Sequence, residues 1–143
     1  MLYLVNEILD SAKIESGKME LVCGEYSLFR LLKDCYNMIE VQMKGKSLKF
    51  SIENESVIPD RLYGDEVRIR QVLFNLLTNA YKYTREGAVT MRVKHKMVSS
   101  VEVLLVISVE DTGIGISEEN QKRLFESFER VDEKRNRNIE GTG

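Results

Sequence analysis

Asn75, Asn79, Lys82 and Tyr83 share one stretch of helical sequence. At about 100° per residue they fall within an arc of roughly 100°, bordering an apolar face of Ile69, Leu73, Leu76, Leu77 and Ala80. Asparagine is a poor helix former because its amide competes for backbone partners, so two of them at i and i+4 need a reason. An amide oxygen is a neutral hard ligand suited to Mg²⁺, which keeps several waters and takes further ligands from nucleotide phosphates. A lysine three residues on can meet phosphate charge. The same pair also suits a plain solvated helix edge. A second group, Asp111-Thr112-Gly113-Ile114-Gly115-Ile116, directly follows an apolar run. Its glycines let the backbone approach a ligand closely, and its carboxylate can accept a hydrogen bond from an exocyclic amine such as adenine's. A short G-x-G is equally at home in an ordinary turn. Glu140-Gly141-Thr142-Gly143 opens a second glycine loop. None of the three settles a function alone.

The chain that must position these groups has 143 residues, 31% charged and 43% hydrophobic, which is one domain's worth with a core. Its 23 acidic and 21 basic residues are interspersed and sum to a net charge of -2, so no strong field is on offer and no nucleic-acid partner is expected. Apolar runs such as Val103 to Ile107 are too short to span a bilayer, and the first residues lack the order of a signal peptide. A soluble piece is expected. Cys23 and Cys35 lack metal-ligand spacing, which excludes zinc and suggests two small thiols in a reducing compartment. The single histidine, His95, excludes a His-pair metal site within these residues.

Periodicity places the elements. Leu2, Val5, Leu9 and Ala12 predict a helix over 1–16 stopped by Gly17, with the seam of something longer. Glu20 to Tyr26 alternates weakly as a strand, and Ser27 is the N-cap of a helix burying Leu28, Leu31, Leu32, Cys35, Ile39 and Met43. Leu48, Phe50 and Ile52 alternate as a strand, and 54–60 reads as a loop. Asp65 caps a helix from Glu66 to Tyr83, closed by a turn over 85–87. Val89, Met91 and Val93 alternate, a turn falls near Ser99 and Ser100, and Val101 to Val109 is apolar at nearly every position. That last strand is expected to be central and covered on both faces. A short helix from Ser117 to about Phe125 and a charged segment follow. This order suits a sheet with helices on one face. Gly45-Lys46-Ser47 mimics the end of a P-loop, but Glu40 stands where the first glycine belongs, and the segment runs from helix into strand. It is rejected as a phosphate loop.

Together these motifs resemble the ATP-binding catalytic domain of two-component sensor histidine kinases, in the GHKL superfamily with its Bergerat fold. Gly64 to Thr84, with Asn75, Asn79, Lys82 and Tyr83, is similar to the family's N box. Asp111-Thr-Gly-Ile-Gly-Ile116 is similar to the G1 box, Leu124 to Asp132 to the F box, and Glu140-Gly-Thr-Gly143 to the opening of the G2 box. Leu4 to Leu21 resembles the end of the dimerisation helix hairpin and its linker. The resemblance implies an α+β, two-layer sandwich with a mixed, mostly antiparallel sheet. It divides the chain into 1–18, the end of the hairpin, and 19–143, the ATP-binding domain, and both ends read as cuts within a longer protein. It further implies that Asn79 ligates Mg²⁺ with Asn75 beside it, that Lys82 and Tyr83 touch phosphate and ribose, and that Asp111 accepts from the adenine amine. Gly113, Gly115 and Ile116 would shape the base pocket, Phe125 and Phe128 anchor a lid over 130–143, Arg130 meet the terminal phosphate, and Gly141 and Gly143 approach the phosphates. The run Asp132 to Asn138 is nearly devoid of apolar residues, so this lid is expected to be mobile without nucleotide.

An amide at Asn75 cannot take up a proton at neutral pH, whereas relatives that hydrolyse ATP carry a glutamate there. The resemblance thus implies ATP- and Mg²⁺-dependent phosphoryl transfer, in which Asn75, Lys82 and Arg130 serve catalysis by positioning and charge. The phosphoacceptor box is absent, and His95, between Lys94 and Lys96 on a strand, does not replace it. The expected acceptor is a histidine on a hairpin outside these residues. The other implied partners are a response regulator and a second copy of the full-length protein. The implied setting is the cytoplasm, whether or not the parent is anchored in a membrane. Two other readings stay open: a degenerate nucleotide-binding or protein-interaction module, and a GHKL ATPase.

Overall fold

The computed structural model describes residues 2–55 and 57–124. Two compact units divide the chain: Val22–Ile114, and the flanking segments Met1–Leu21 with Gly115–Gly143. In the flanking unit, α1 (Leu2–Glu15) ends in a Schellman motif. Gly17 N–H donates to Ile14 O at 3.0 Å and Lys18 N–H to Lys13 O at 2.9 Å, with Gly17 at φ +66° as that motif requires. Gly17 is thus the helix stop its position predicts.

The larger unit opens with β1 (Gly24–Ser27), shorter than the strand expected over 20–26. Ser27 caps α2 (Leu28–Gly45) as expected, its Oγ accepting from Arg30 N at 3.1 Å and donating to Asp60 Oδ1 at 2.8 Å. The six apolar residues read from the helical period, Leu28, Leu31, Leu32, Cys35, Ile39 and Met43, are all buried. After α2 come β2 (Lys49–Asn54) and β3 (Arg61–Gly64), which pairs antiparallel with β1. β3 is a correction to the sequence reading: its four residues lie past the loop expected over 54–60, and only Leu62 and Gly64 are even half-buried, too little for a period-2 signal.

α3 (Glu66–Tyr83) begins and ends where the sequence places it. β4 (Ala88–Met97) and β5 (Val103–Asp111) form the expected hairpin, and β2 joins β4 in parallel, so the sheet order is β2-β4-β5. The helices cover the face carrying the fully buried Val89, Met91 and Val93, against which Phe50, Ile52, Leu105, Ile107 and Val109 pack from the neighbouring strands. Two of the three strand pairings are antiparallel among the described residues, giving the expected α+β architecture with a mixed sheet and helices on one face. The outer face carries polar cross-strand contacts. Arg92 bridges Glu53 on β2, at 2.8 Å, and Glu110 on β5, while Lys94 meets Glu55 at 2.7 Å.

The expectation that Val101 to Val109 forms a central strand is corrected. β4 takes the centre, and β5 lies at one edge of the described sheet, with Leu104 52% and Val106 47% exposed on its outer side. A run that is apolar at nearly every position reports two apolar faces, and the helices cover one of them.

The rejected phosphate loop also has its explanation here. Gly45 is the last residue of α2, Lys46 its C-cap, and Ser47 adopts φ +58°, with Ser47 N–H to Lys44 O at 3.0 Å and Leu48 N–H to Met43 O at 2.9 Å. A serine thus occupies the left-handed position that glycine fills without strain. Ser47→Gly is expected to stabilise the protein by about 0.5–1 kcal/mol, read as a higher urea midpoint at unchanged slope. An unchanged or lower midpoint would show that this turn carries no such strain.

Candidate functional site

α3 supplies one wall of the candidate site and is fixed at both ends. At its start Asp65 Oδ1 accepts from Arg68 N at 3.1 Å and Oδ2 from Val22 N at 2.8 Å. These backbone donors, Val22 foremost, hold the Asp65 carboxyl below the usual carboxylate range. At its end Thr84, fully buried, is the C-cap and donates its N–H to Ala80 O at 3.1 Å. On this helix Asn79 is exposed, and Asn75, Lys82 and Tyr83 are half-buried. Asn79 and Asn75 lie one and two turns before Tyr83, about 6 and 12 Å along the axis at 1.5 Å per residue.

The second wall is the end of β5. Its last residue, Asp111, pairs in register with Val89 at the start of β4. Thr112 then fastens the loop: its N–H donates to Ala88 O at 3.2 Å, and its Oγ1 accepts from Ala88 N at 3.1 Å and donates to Glu86 O at 3.3 Å. The chain next reverses onto α3, with Ile114 N–H donating to Tyr83 O at 3.3 Å.

Asp111 sits at this junction with its two oxygens in different surroundings. Oδ1 accepts from Gly113 N at 2.8 Å and, more loosely, from Thr84 Oγ1 at 3.4 Å. Among the described residues Oδ2 accepts no hydrogen bond, and Asp111 is exposed. The carboxylate is therefore held by one oxygen and presents the other. Gly113 is needed for this approach. A Cβ there would stand 2.5 Å from Tyr83 O, 2.6 Å from Asp111 Oδ1 and 2.9 Å from Thr84 Oγ1, closer than real Cβ atoms come to such neighbours.

The structure thus brings together Tyr83, Asp111 and Gly113 of the residues singled out from the sequence, and places Asn75, Asn79 and Lys82 on the helix that ends there. In the flanking unit, Gly115 takes φ +68° and Ile116 O accepts from Gln121 Nε2 at 3.1 Å. There Ser117 caps α4 (Glu118–Gln121), a single turn where a helix to about Phe125 is expected. The helix's continuation past Leu124, Phe125, Phe128, Arg130, Gly141, Gly143 and the proposed lid over 130–143 lie outside the described residues.

Sequence reasoning gave Thr84 and Thr112 no role of their own within the motifs that contain them, and weighed Lys46 only as part of a rejected phosphate loop. Thr84 has a signal in hindsight, because a hydroxyl buried just past a helix end needs a partner and Asp111 provides it. Thr112 and Lys46 act across tertiary contacts that no local spacing records. The arrangement can bind a ligand bearing an amino donor at the Asp111 end and anionic groups along the Asn79–Lys82 surface. Among the described residues no group of three or more His, Cys, Asp or Glu side chains could hold a metal ion. An exposed amide such as Asn79's suits a hard cation that draws most of its other ligands from water and phosphate, so the donor set fits Mg²⁺ brought with a nucleotide.

Residues 64–143 match the family described as histidine kinase-, DNA gyrase B-, and HSP90-like ATPase. Over 143 residues the chain is 37% identical to hybrid signal transduction histidine kinase B of Dictyostelium discoideum, covering all of this chain and 7% of that protein. Among solved structures it resembles full-length ShkA in complex with AMPPNP, with a TM-score of 0.78 and 28% identity over 90% of this chain and 27% of that one. It also resembles histidine kinase ThkA in complex with the response regulator TrrA, with a TM-score of 0.66 and 26% identity over 90% of this chain and 37% of that one. The chain thus spans a minor part of each of these three proteins. The family match spans more than half of the chain, which therefore belongs to the histidine kinase-, DNA gyrase B- and HSP90-like ATPase family.

Proposed function

We propose that this domain binds Mg²⁺-ATP and delivers its γ-phosphoryl group to a histidine on a helix hairpin, for relay to the aspartate of a response regulator. The observation that carries the reading is the split environment of Asp111. One oxygen is tied to Gly113 N at 2.8 Å, and the other is left to accept from an adenine amine. In this reading 1–18 is the end of the hairpin and 19–143 the ATP-binding domain. Asn79 holds the metal, Asn75 stands beside it, Lys82 and Arg130 offset phosphate charge, and Tyr83 lies along the ribose. Gly113, Gly115 and Ile116 shape the pocket, Phe125 and Phe128 anchor the lid, and Gly141 and Gly143 approach the phosphates. Bound Mg²⁺ would neutralise charge on the β- and γ-phosphates.

The transfer forms a bond between the γ-phosphorus and an imidazole nitrogen while the bond to the β,γ-bridging oxygen breaks, and ADP leaves. The protein's part is to orient the phosphates and supply positive charge, since no residue in the described site is placed as a base on water. Asn75, an amide, favours transfer over hydrolysis for the same reason. ShkA's complex with AMPPNP and ThkA's complex with a response regulator support the nucleotide and the relay partner. A second copy of the full-length protein and a cytoplasmic setting complete the proposal. No described helix is long and apolar enough to cross a membrane.

The test supplies a phosphoacceptor hairpin in trans with γ-labelled ATP and Mg²⁺. Acid-labile, base-stable label on the hairpin is expected, and a hairpin that stays unlabelled while ATP binds overturns the kinase reading. Asn79→Ala is expected to weaken ATP binding about tenfold in Mg²⁺ and far less in EDTA, as the loss of one metal ligand requires. An equal loss in both conditions would remove Asn79 from the metal.

A further inference from the structure

We infer that Lys46 is a positioning residue for the base-recognising end of the site, an inference that rests on Asp111 being the acceptor for the adenine amine. Lys46 is the lysine of the rejected phosphate-loop triplet, and its place in the fold gives it another task. Its backbone N–H closes α2 on Met43 O at 3.1 Å. Its side chain crosses to the end of α3, where Nζ donates to Tyr81 O at 2.7 Å and to Thr84 O at 3.4 Å, and lies 4.2 Å from the centre of the Tyr81 ring.

The last carbonyls of a helix have no partner within it and form the negative end of its dipole. At the end of α3 the ammonium of Lys46 covers Tyr81 O and Thr84 O, and the loop after β5 covers Tyr83 O through Ile114 N–H. The turn that carries Tyr83 and Thr84 is thus held from two sides, by a cation from the α2–β2 connection and by the glycine loop. Thr84 is fully buried, so water cannot readily replace the lysine around it. Without Lys46 the turn frays, and the two groups it offers to the glycine loop, Thr84 Oγ1 to Asp111 and Tyr83 O to Ile114, lose their fixed positions. Lys46 acts on base recognition through Thr84 and Tyr83, and the stacked, half-buried ammonium gives the link a preferred geometry.

The test uses the full chain and the preference for ATP over GTP, because a fixed Asp111 acceptor favours adenine's amine and repels the guanine O6 acceptor. Lys46→Met keeps the apolar stem over Tyr81 and removes the donors. It is expected to lower the ATP-over-GTP ratio of affinities about fivefold, whereas Lys46→Arg stays within about twofold of wild type. Without nucleotide, the Thr84 and Ile114 amides of Lys46→Met are expected to exchange with solvent about fivefold faster. If Lys46→Met fails to fold by circular dichroism, Lys46→Gln carries the test and is expected to fall between wild type and a full loss of preference. An unchanged ratio in a folded Lys46→Met or Lys46→Gln overturns the inference. A wild-type protein that binds ATP and GTP equally overturns the reading of Asp111 instead, and the exchange measurement then still reports whether Lys46 holds the turn.

Discussion

Asp111→Asn is expected to weaken ATP binding about 100-fold while leaving the fold intact, the size of one charged hydrogen bond replaced by a mismatch. The aspartate has acceptors on both oxygens, and the proposed reading uses both. Gly113 N–H, at 2.8 Å, and Thr84 Oγ1, at 3.4 Å, address Oδ1, which leaves Oδ2 for the ligand. An asparagine has one acceptor and one donor at these places. If its oxygen faces Gly113 N–H, its NH₂ meets the adenine amine and two donors collide. If it flips, the ligand finds an acceptor but Gly113 N–H faces a donor and the loop loses its anchor. Neither orientation serves both partners. The carboxylate is exposed, so the substitution removes no buried ion pair, and thermal stability is expected to change little. Calorimetric titration with ATP checks the effect, and an affinity within threefold of wild type would remove Asp111 from base recognition. A guanine nucleotide should gain relative to ATP in the variant, since the new amide can donate to O6.

Much of this site is legible in the sequence because helices write their geometry into it. The boundaries of α3, the cap at Asp65 and the buried stripe of α2 follow from capping chemistry and a 3.6-residue period, both local properties. The run from Asp111 to Gly115 announces a strand end and a tight loop for the same reason. What stays hidden depends on contacts distant in sequence. Thr84 meets Asp111 across 27 positions and Lys46 meets Tyr81 across 35, and no spacing rule connects such residues. β3 escapes notice because four residues, alternately exposed and half-buried, are too few for their alternation to stand out in the sequence. β5 misleads in the opposite way: its nearly unbroken apolar run reports two hydrophobic faces but not which of them the helices cover. Sequence thus names the groups proposed to touch the ligand better than the groups that hold those in place.

Gly113→Ala is expected to lower nucleotide affinity about 100-fold and, unlike the change at Asp111, to destabilise the protein by about 2 kcal/mol, the range of overpacking at a rigid site. Space makes this residue indispensable here. A Cβ at Gly113 would lie 2.5 Å from Tyr83 O, a backbone atom that cannot rotate away. Its other close neighbours would be Asp111 Oδ1 at 2.6 Å and Thr84 Oγ1 at 2.9 Å, the two side-chain atoms that fix the acceptor. Relief therefore requires the loop after β5 to move off the end of α3, and that movement stretches the Ile114–Tyr83 and Gly113–Asp111 hydrogen bonds together. The stability loss and the affinity loss share one cause, so both should appear in the same variant. Gly115 supplies the contrast. Among the described residues nothing beyond its chain neighbours lies within 4 Å of a Cβ built there, and its φ of +68° is the obstacle that remains among them. Gly115→Asn, a residue that tolerates this conformation, is expected to keep stability within about 1 kcal/mol of wild type. Chemical denaturation and ATP titration of the two variants check the pair. A Gly113→Ala protein as stable and as tight-binding as wild type would mean that the loop closes on α3 more loosely than these distances allow.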